Sequence, residues 1–158
     1  MVQISDIFSR QILDSRGNPT LEVDVTLSDG SLGRAAVPSG ASTGEYEAFE
    51  LRDGDNKNFN GLSVHKAVNN INTEICDTFS GYNPYNQKII DNDLIELENS
   101  ENKSRLGANA MLGFSMAVSR ASSVSLDLPL WKYIGGMRAN TLPCLLYTSD
   151  AADDSLRV

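Results

Sequence analysis

From Leu21 to Leu27 the chain alternates apolar and polar side chains at every step, Leu-Glu-Val-Asp-Val-Thr-Leu. That period-two pattern predicts a strand with one buried and one wet face. Gln3 to Leu13, rich in Ile and Phe, alternates more weakly and predicts a preceding strand. The turn formers Asp14-Ser15-Arg16-Gly17-Asn18-Pro19 join the two. Asp29-Gly30 is a hairpin signal leading into a third strand over Leu32 to Val37. Beyond residue 60 the period changes. Val64, Ala67, Val68, Ile71, Ile75 and Phe79 recur at helical spacing, with Ser63 as the expected N-cap and Gly81 as the stop. Asn83-Pro84 is expected to cap and open a second helix carrying Ile89, Ile90, Leu94 and Leu97. A third runs from about Leu106 to Leu126 with a face of small residues, Ala110, Gly113, Ala117, Ala121 and Val124, which predicts close packing at the centre. Leu128-Pro129-Leu130 breaks it, and Trp131 to Ile134 adds a short fourth turn. Strands followed by helices predict an α+β fold: a three-stranded antiparallel meander covered by a bundle of three to four helices.

Composition narrows the functional classes. The 158 residues suit one domain, and 41% hydrophobic with 22% charged is ordinary globular chemistry. A formal charge of −8 argues against nucleic acid or an anionic membrane as partner. The same field repels anionic substrates, so a protein handling phosphates or carboxylates needs cations, and divalent metal is the obvious supply. Cys76 and Cys144 lack metal-ligand spacing. With no basic-then-apolar leader and no long apolar run, the expected setting is the cytoplasm.

The candidate chemistry lies in Val37-Pro38-Ser39-Gly40-Ala41-Ser42-Thr43-Gly44, directly after the third strand. Gly40 and Ala41 let a backbone come close to a ligand. Ser39, Ser42 and Thr43 offer hydroxyl oxygens. Such a stretch suits contact with a small, highly charged ligand or a hard metal ion, and its glycines suit a moving lid; taken alone it also reads as an ordinary Ser/Gly turn. From Cys144 the text loses amphipathic period. Residues 144–158 read as vector, adapter or frame-shifted sequence joined to a truncated gene, the alternative being a genuine variable tail. The expected domain is 1–143.

Asp14-Ser15-Arg16-Gly17-Asn18-Pro19-Thr20, the loop motif, Glu47-Ala48, Glu50-Leu51-Arg52-Asp53-Gly54-Asp55, Glu101-Asn102-Lys103-Ser104 and Gly107-Ala108-Asn109-Ala110 occur in an order and spacing that resemble enolase. The resemblance covers roughly residues 3–143 and is confined to the family's N-terminal domain; the C-terminal barrel, typically roughly 250 residues, is missing. It implies a lyase interconverting 2-phosphoglycerate and phosphoenolpyruvate plus water, dependent on magnesium and acting as a homo-oligomer, usually a dimer or octamer. It implies that Ser42 ligates the second, catalytic magnesium through hydroxyl and carbonyl oxygens, while Gly40 and Ala41 approach the substrate. The base, the general acid and the first metal's ligands belong to the barrel, so no catalytic residue is expected in this chain and the isolated piece is expected to be inactive.

Other polar groups read as structural. His65 is assigned no role. Glu45, Glu47 and Glu50 read as solvated or locally paired, and Arg16 and Glu22 as structural or subunit contacts. Arg52, Asp53 and Asp55 read as a network beside the loop. Asp91, Asp93, Glu96, Glu98 and Glu101 read as an exposed acidic face. A non-catalytic interaction or capping module, and another enolase-superfamily member such as a sugar-acid dehydratase or racemase, are the alternatives.

Overall fold

The computed structural model describes residues 1–38, 44 and 47–140. The strands are β1 (Ile4–Leu13), β2 (Pro19–Leu27) and β3 (Leu32–Ala36), in the order β1-β2-β3 and antiparallel throughout. Ile4, Ile7, Leu21, Val23, Val25, Leu27 and Ala35 point to one side and are buried. The other side carries Arg10, Glu22, Asp24 and Arg34, as the alternation requires. At the second turn Gly30 takes φ +85°, and Asp29 accepts the Ser31 amide (2.9 Å).

The first helical run is α1 (His65–Asn70), a π-helical turn (Ile71–Ile75) and α2 (Cys76–Phe79). Its buried face is Ala67, Ile71, Ile75 and Phe79. Inside the π turn, the Asn72 amide accepts from Ser9 N (2.6 Å) and donates to Ser9 O (3.0 Å). It thereby occupies backbone groups on the outer edge of β1, where an open edge would invite foreign strands. Gly81 ends the run at φ +86°, its amide bonded to Ile4 O (2.8 Å).

The expected Ser63 cap is not formed. The Ser63 hydroxyl is buried without a hydrogen-bond partner, and the Asp53 carboxylate instead takes the His65 and Lys66 amides (3.0 and 2.9 Å). The cap comes from a distant loop, so adjacency along the chain pointed to the wrong residue. Asp53→Ala is expected to cost about 1 kcal/mol of stability, measured by urea denaturation, whereas Ser63→Ala should cost almost nothing or stabilise slightly.

Helix α3 (Gln87–Glu98) begins three residues later than Asn83-Pro84 suggests. Asn83 closes an Asx turn on the Tyr85 amide (3.0 Å), and Pro84 O accepts from Ser122 Oγ (2.8 Å). Ile90 and Leu94 are buried, whereas Ile89 is half exposed. Helix α4 (Ala108–Ser125) lies on β2 and β3, and α5 (Leu130–Gly135) follows. Ala110, Gly113, Ala117 and Ala121 are buried and closely packed as expected, with Ala117 and Ala121 against Gly33 of β3, but Val124 is exposed and not part of this face. At Gly113 an added β-carbon would come within 2.8 Å of Leu21 and Val23 side-chain atoms. The Phe79 and Phe114 rings meet at 4.9 Å beneath the sheet, a contact worth about 1 kcal/mol beyond its area.

The acidic face predicted on α3 needs correction at Glu98, which is 1% exposed. It accepts the Ser100 hydroxyl and the Arg105 and Leu106 amides, clamping residues 99–106 onto the helix end. Asp91 also turns partly inward, accepting from Gln87 Nε2 (3.0 Å) and Ser115 Oγ (2.8 Å).

Candidate functional site

The loop motif is held by two stems. Upstream, the Val37 amide continues the sheet by donating to Leu21 O (2.9 Å), and Thr20 Oγ1 donates to Val37 O (2.8 Å). Both residues are buried. Residues 39–43, which contain Gly40, Ala41 and Ser42, lie outside the described residues, as does Glu45.

Downstream, the chain is fastened to the start of α4. Gly44 N donates to Glu47 Oε2 (2.8 Å), Phe49 N to Asn102 O (2.8 Å) and Ala108 N to Phe49 O (2.9 Å). Asn109, buried at the first turn of α4, then grips Leu51 on both sides: its Oδ1 accepts the Leu51 amide and its Nδ2 donates to Leu51 O, each at 3.1 Å. A side-chain amide that satisfies one donor and one acceptor at once acts as a rigid peptide surrogate. Gly107 makes the approach feasible. It sits at φ +97°, and a β-carbon there would lie 2.5 Å from Leu51 Cβ.

Arg52 ties this segment to the first hairpin. Its guanidinium donates to Pro19 O (2.7 Å), Leu62 O and Glu50 Oε1 (2.7 Å). Asp55 closes the following turn on the Lys57 amide (3.0 Å) and Asn58 Nδ2 (3.1 Å). The Arg52, Asp53 and Asp55 set is therefore a structural network, as expected. At the adjoining hairpin Asp14 accepts the Arg16 and Asn18 amides (2.8 Å each). The Asn18 amide foremost holds its carboxyl below the usual carboxylate range. His65 donates its backbone amide to the Asp53 carboxylate.

A small cavity of about 120 Å³ opens between the stems, lined by Val37, Pro38, Glu47, Glu50, Asn109 and Leu112 among others. Among the described residues no three His, Cys, Asp or Glu side chains gather closely enough to hold a metal ion. No described helix is long and apolar enough to cross a membrane. The arrangement is thus a scaffold with two fixed attachment points for a short segment rich in hydroxyl and small residues. Asn109 escaped the sequence reading as an individual residue. Its signal is a lone amide in the otherwise small and apolar opening of α4.

On the sheet's outer face, Arg10 pairs with Glu22 and with Asp24 (2.9 Å), and Arg34 pairs with Asp24 (2.6 Å). The Arg34 hydrogen bond, then that of Arg10, outweighs partial burial and holds the Asp24 carboxyl low.

A three-stranded antiparallel meander covered by helices is an α+β domain. The sequence matches the family "Enolase, N-terminal domain" over residues 4–134. The chain belongs to that family, and a three-stranded antiparallel sheet followed by helices is consistent with it.

Proposed function

We propose that this chain is the N-terminal domain, residues 1–143, of a phosphopyruvate hydratase acting in the cytoplasm, with residues 144–158 foreign to it. In this reading the parent enzyme interconverts 2-phosphoglycerate and phosphoenolpyruvate plus water, and the loop supplies closure rather than the base. The supporting observation is the pairing of the motif Ser39-Gly40-Ala41-Ser42-Thr43-Gly44 with two immobilised stems, in a domain of the enolase family.

The chemistry accounts for the division of labour. The proton removed lies beside a carboxylate and is very weakly acidic, and its loss places a second negative charge there, next to a phosphate. In this superfamily a lysine or histidine base works with magnesium, which when bound stabilises that charge. Ser42 suits the metal because its hydroxyl and carbonyl are hard oxygen donors of the kind magnesium takes. Gly40 and Ala41 allow the backbone to approach the substrate without bulk. Closure over fixed stems excludes water from the reacting centre. The assembled enzyme is proposed to be a homo-oligomer.

The test is turnover of 2-phosphoglycerate with magnesium. The pure 158-residue chain is expected to show none. Clear activity from it would refute the division of the site between two domains.

A further inference from the structure

A cavity of about 520 Å³ opens between the start of α3, the middle of α4 and α5. That volume lies within the range of about 300–1,000 Å³ usual for small-molecule sites. Its polar floor is one hydrogen-bonded set. Ser119 Oγ donates to Gln87 Oε1 (2.9 Å). Gln87 Nε2 donates to Asp91 Oδ1 (3.0 Å) and to Ser115 Oγ (3.0 Å) and O (3.2 Å). Ser115 Oγ donates in turn to Asp91 Oδ1 (2.8 Å). Tyr85 and Tyr133 border the same space. Tyr85 is pinned at its hydroxyl by Ser125 Oγ (2.7 Å).

Counting hydrogens shows what such a floor can bind. A hydroxyl carries one hydrogen and a side-chain amide two. Both serine hydrogens and both amide hydrogens are used inside the set. What remains is lone pairs, on the serine oxygens and above all on Asp91 Oδ2, which takes no hydrogen bond from a described residue. A floor of acceptors carrying one negative charge selects a ligand that donates hydrogen bonds and is positive. Aromatic rings at the border suit the same ligand, because a cation is attracted to a ring face. Ile134, 68% exposed, adds an apolar edge for a carbon chain. The formal charge of −8 favours the approach of a cation. Lys88, exposed at the border, opposes it locally.

We propose that the cavity between α3, α4 and α5 binds a small organic ammonium ion, its nitrogen on the Asp91 carboxylate and its carbon chain against Tyr133 and Ile134. The site shares no residue with the stems of the loop motif, and it stands or falls independently of the enzymatic reading.

The test is a titration of the 158-residue chain with 1,4-diaminobutane, followed by backbone amide NMR at neutral pH. Saturable shifts are expected at Gln87, Asp91, Ser115 and Ser119. Asp91→Asn keeps an acceptor for Ser115 but removes the charge, and should weaken binding at least about tenfold. Tyr133→Leu should weaken it roughly two- to fivefold. Lys88→Gln should tighten it, since a like charge leaves the border. Neither of these last two replaces a buried side chain, so they decide the matter even if Asp91→Asn fails to fold. The neutral analogue 1,4-butanediol should not bind at the same concentrations. Absence of saturable shifts, undiminished binding by Asp91→Asn, weaker binding by Lys88→Gln, or equal binding of the diol would each overturn the proposal.

Discussion

Gly33→Ala is expected to destabilise the domain by about 3 kcal/mol or more, near the upper end for an overpacked core. A β-carbon on Gly33 would lie 2.1 Å from Ala117 O and 2.2 Å from Ala121 N. These are backbone atoms of α4, so no side chain can rotate aside. Relief requires lifting the helix off β3, which would loosen the packing of Ala117 and Ala121 together. For a domain of this size the loss corresponds to a fall in thermal midpoint of roughly 6–12 °C. Gly44→Ala is the matched control, because its β-carbon would meet nothing and its backbone is unstrained; its effect should stay within about 0.5 kcal/mol. Chemical denaturation of both variants at neutral pH decides the matter. Equal stability of the two would contradict the proposed seating of α4.

Removing the Glu98 carboxylate is the other large effect. Glu98→Ala leaves the Leu106 amide buried and unsatisfied and frees the turn that Ser100 and Arg105 close. The expected cost is about 3 kcal/mol, as for breaking a buried charged network from one side. Glu98→Gln, which keeps one acceptor, should cost less. The effect carries a pH signature. Burial pushes this carboxyl up, but the Ser100 hydroxyl, the Leu106 and Arg105 amides and the Arg105 charge together hold it below its ordinary value. A depressed carboxyl in the folded state stabilises above its unfolded pKa of about 4.3. That contribution is lost as pH falls through the lower folded value. The gap between wild type and Glu98→Gln should therefore be constant from neutrality to about pH 5 and shrink below about pH 4. A gap that widened on acidification would contradict the assignment.

Much of the architecture is legible in the chain because local pattern and tertiary burial agree. At Leu21–Leu27 every second side chain is apolar, and these are the ones that face α4. The Asp29-Gly30 turn and the Gly81 stop need positive φ, which glycine supplies and the chain announces. Legibility fails where the deciding partner is remote in sequence. Ser63 is the nearest capping residue to α1, yet Asp53 takes the free amides because its loop folds back onto the helix start. Glu98 sits in a run of acids that suggests solvent, but residues 99–106 wrap over it and bring donors no helical period encodes. Asn109 is similar, since its partner Leu51 becomes a neighbour only after the loop stem docks. The hydrogen bonds that fix both stems of the loop emerge only from the fold.

Those stems bear on the central claim, that Ser42 donates oxygen to a magnesium ion otherwise held by a separate domain. The most direct measurement is turnover of 2-phosphoglycerate by the 158-residue chain mixed with the C-terminal domain of an enolase, with and without Ser42→Ala. Turnover should be absent for either piece alone, appear on mixing, and be lost with Ser42→Ala while the two pieces still associate. Undiminished turnover with Ser42→Ala in the mixture would contradict the claim.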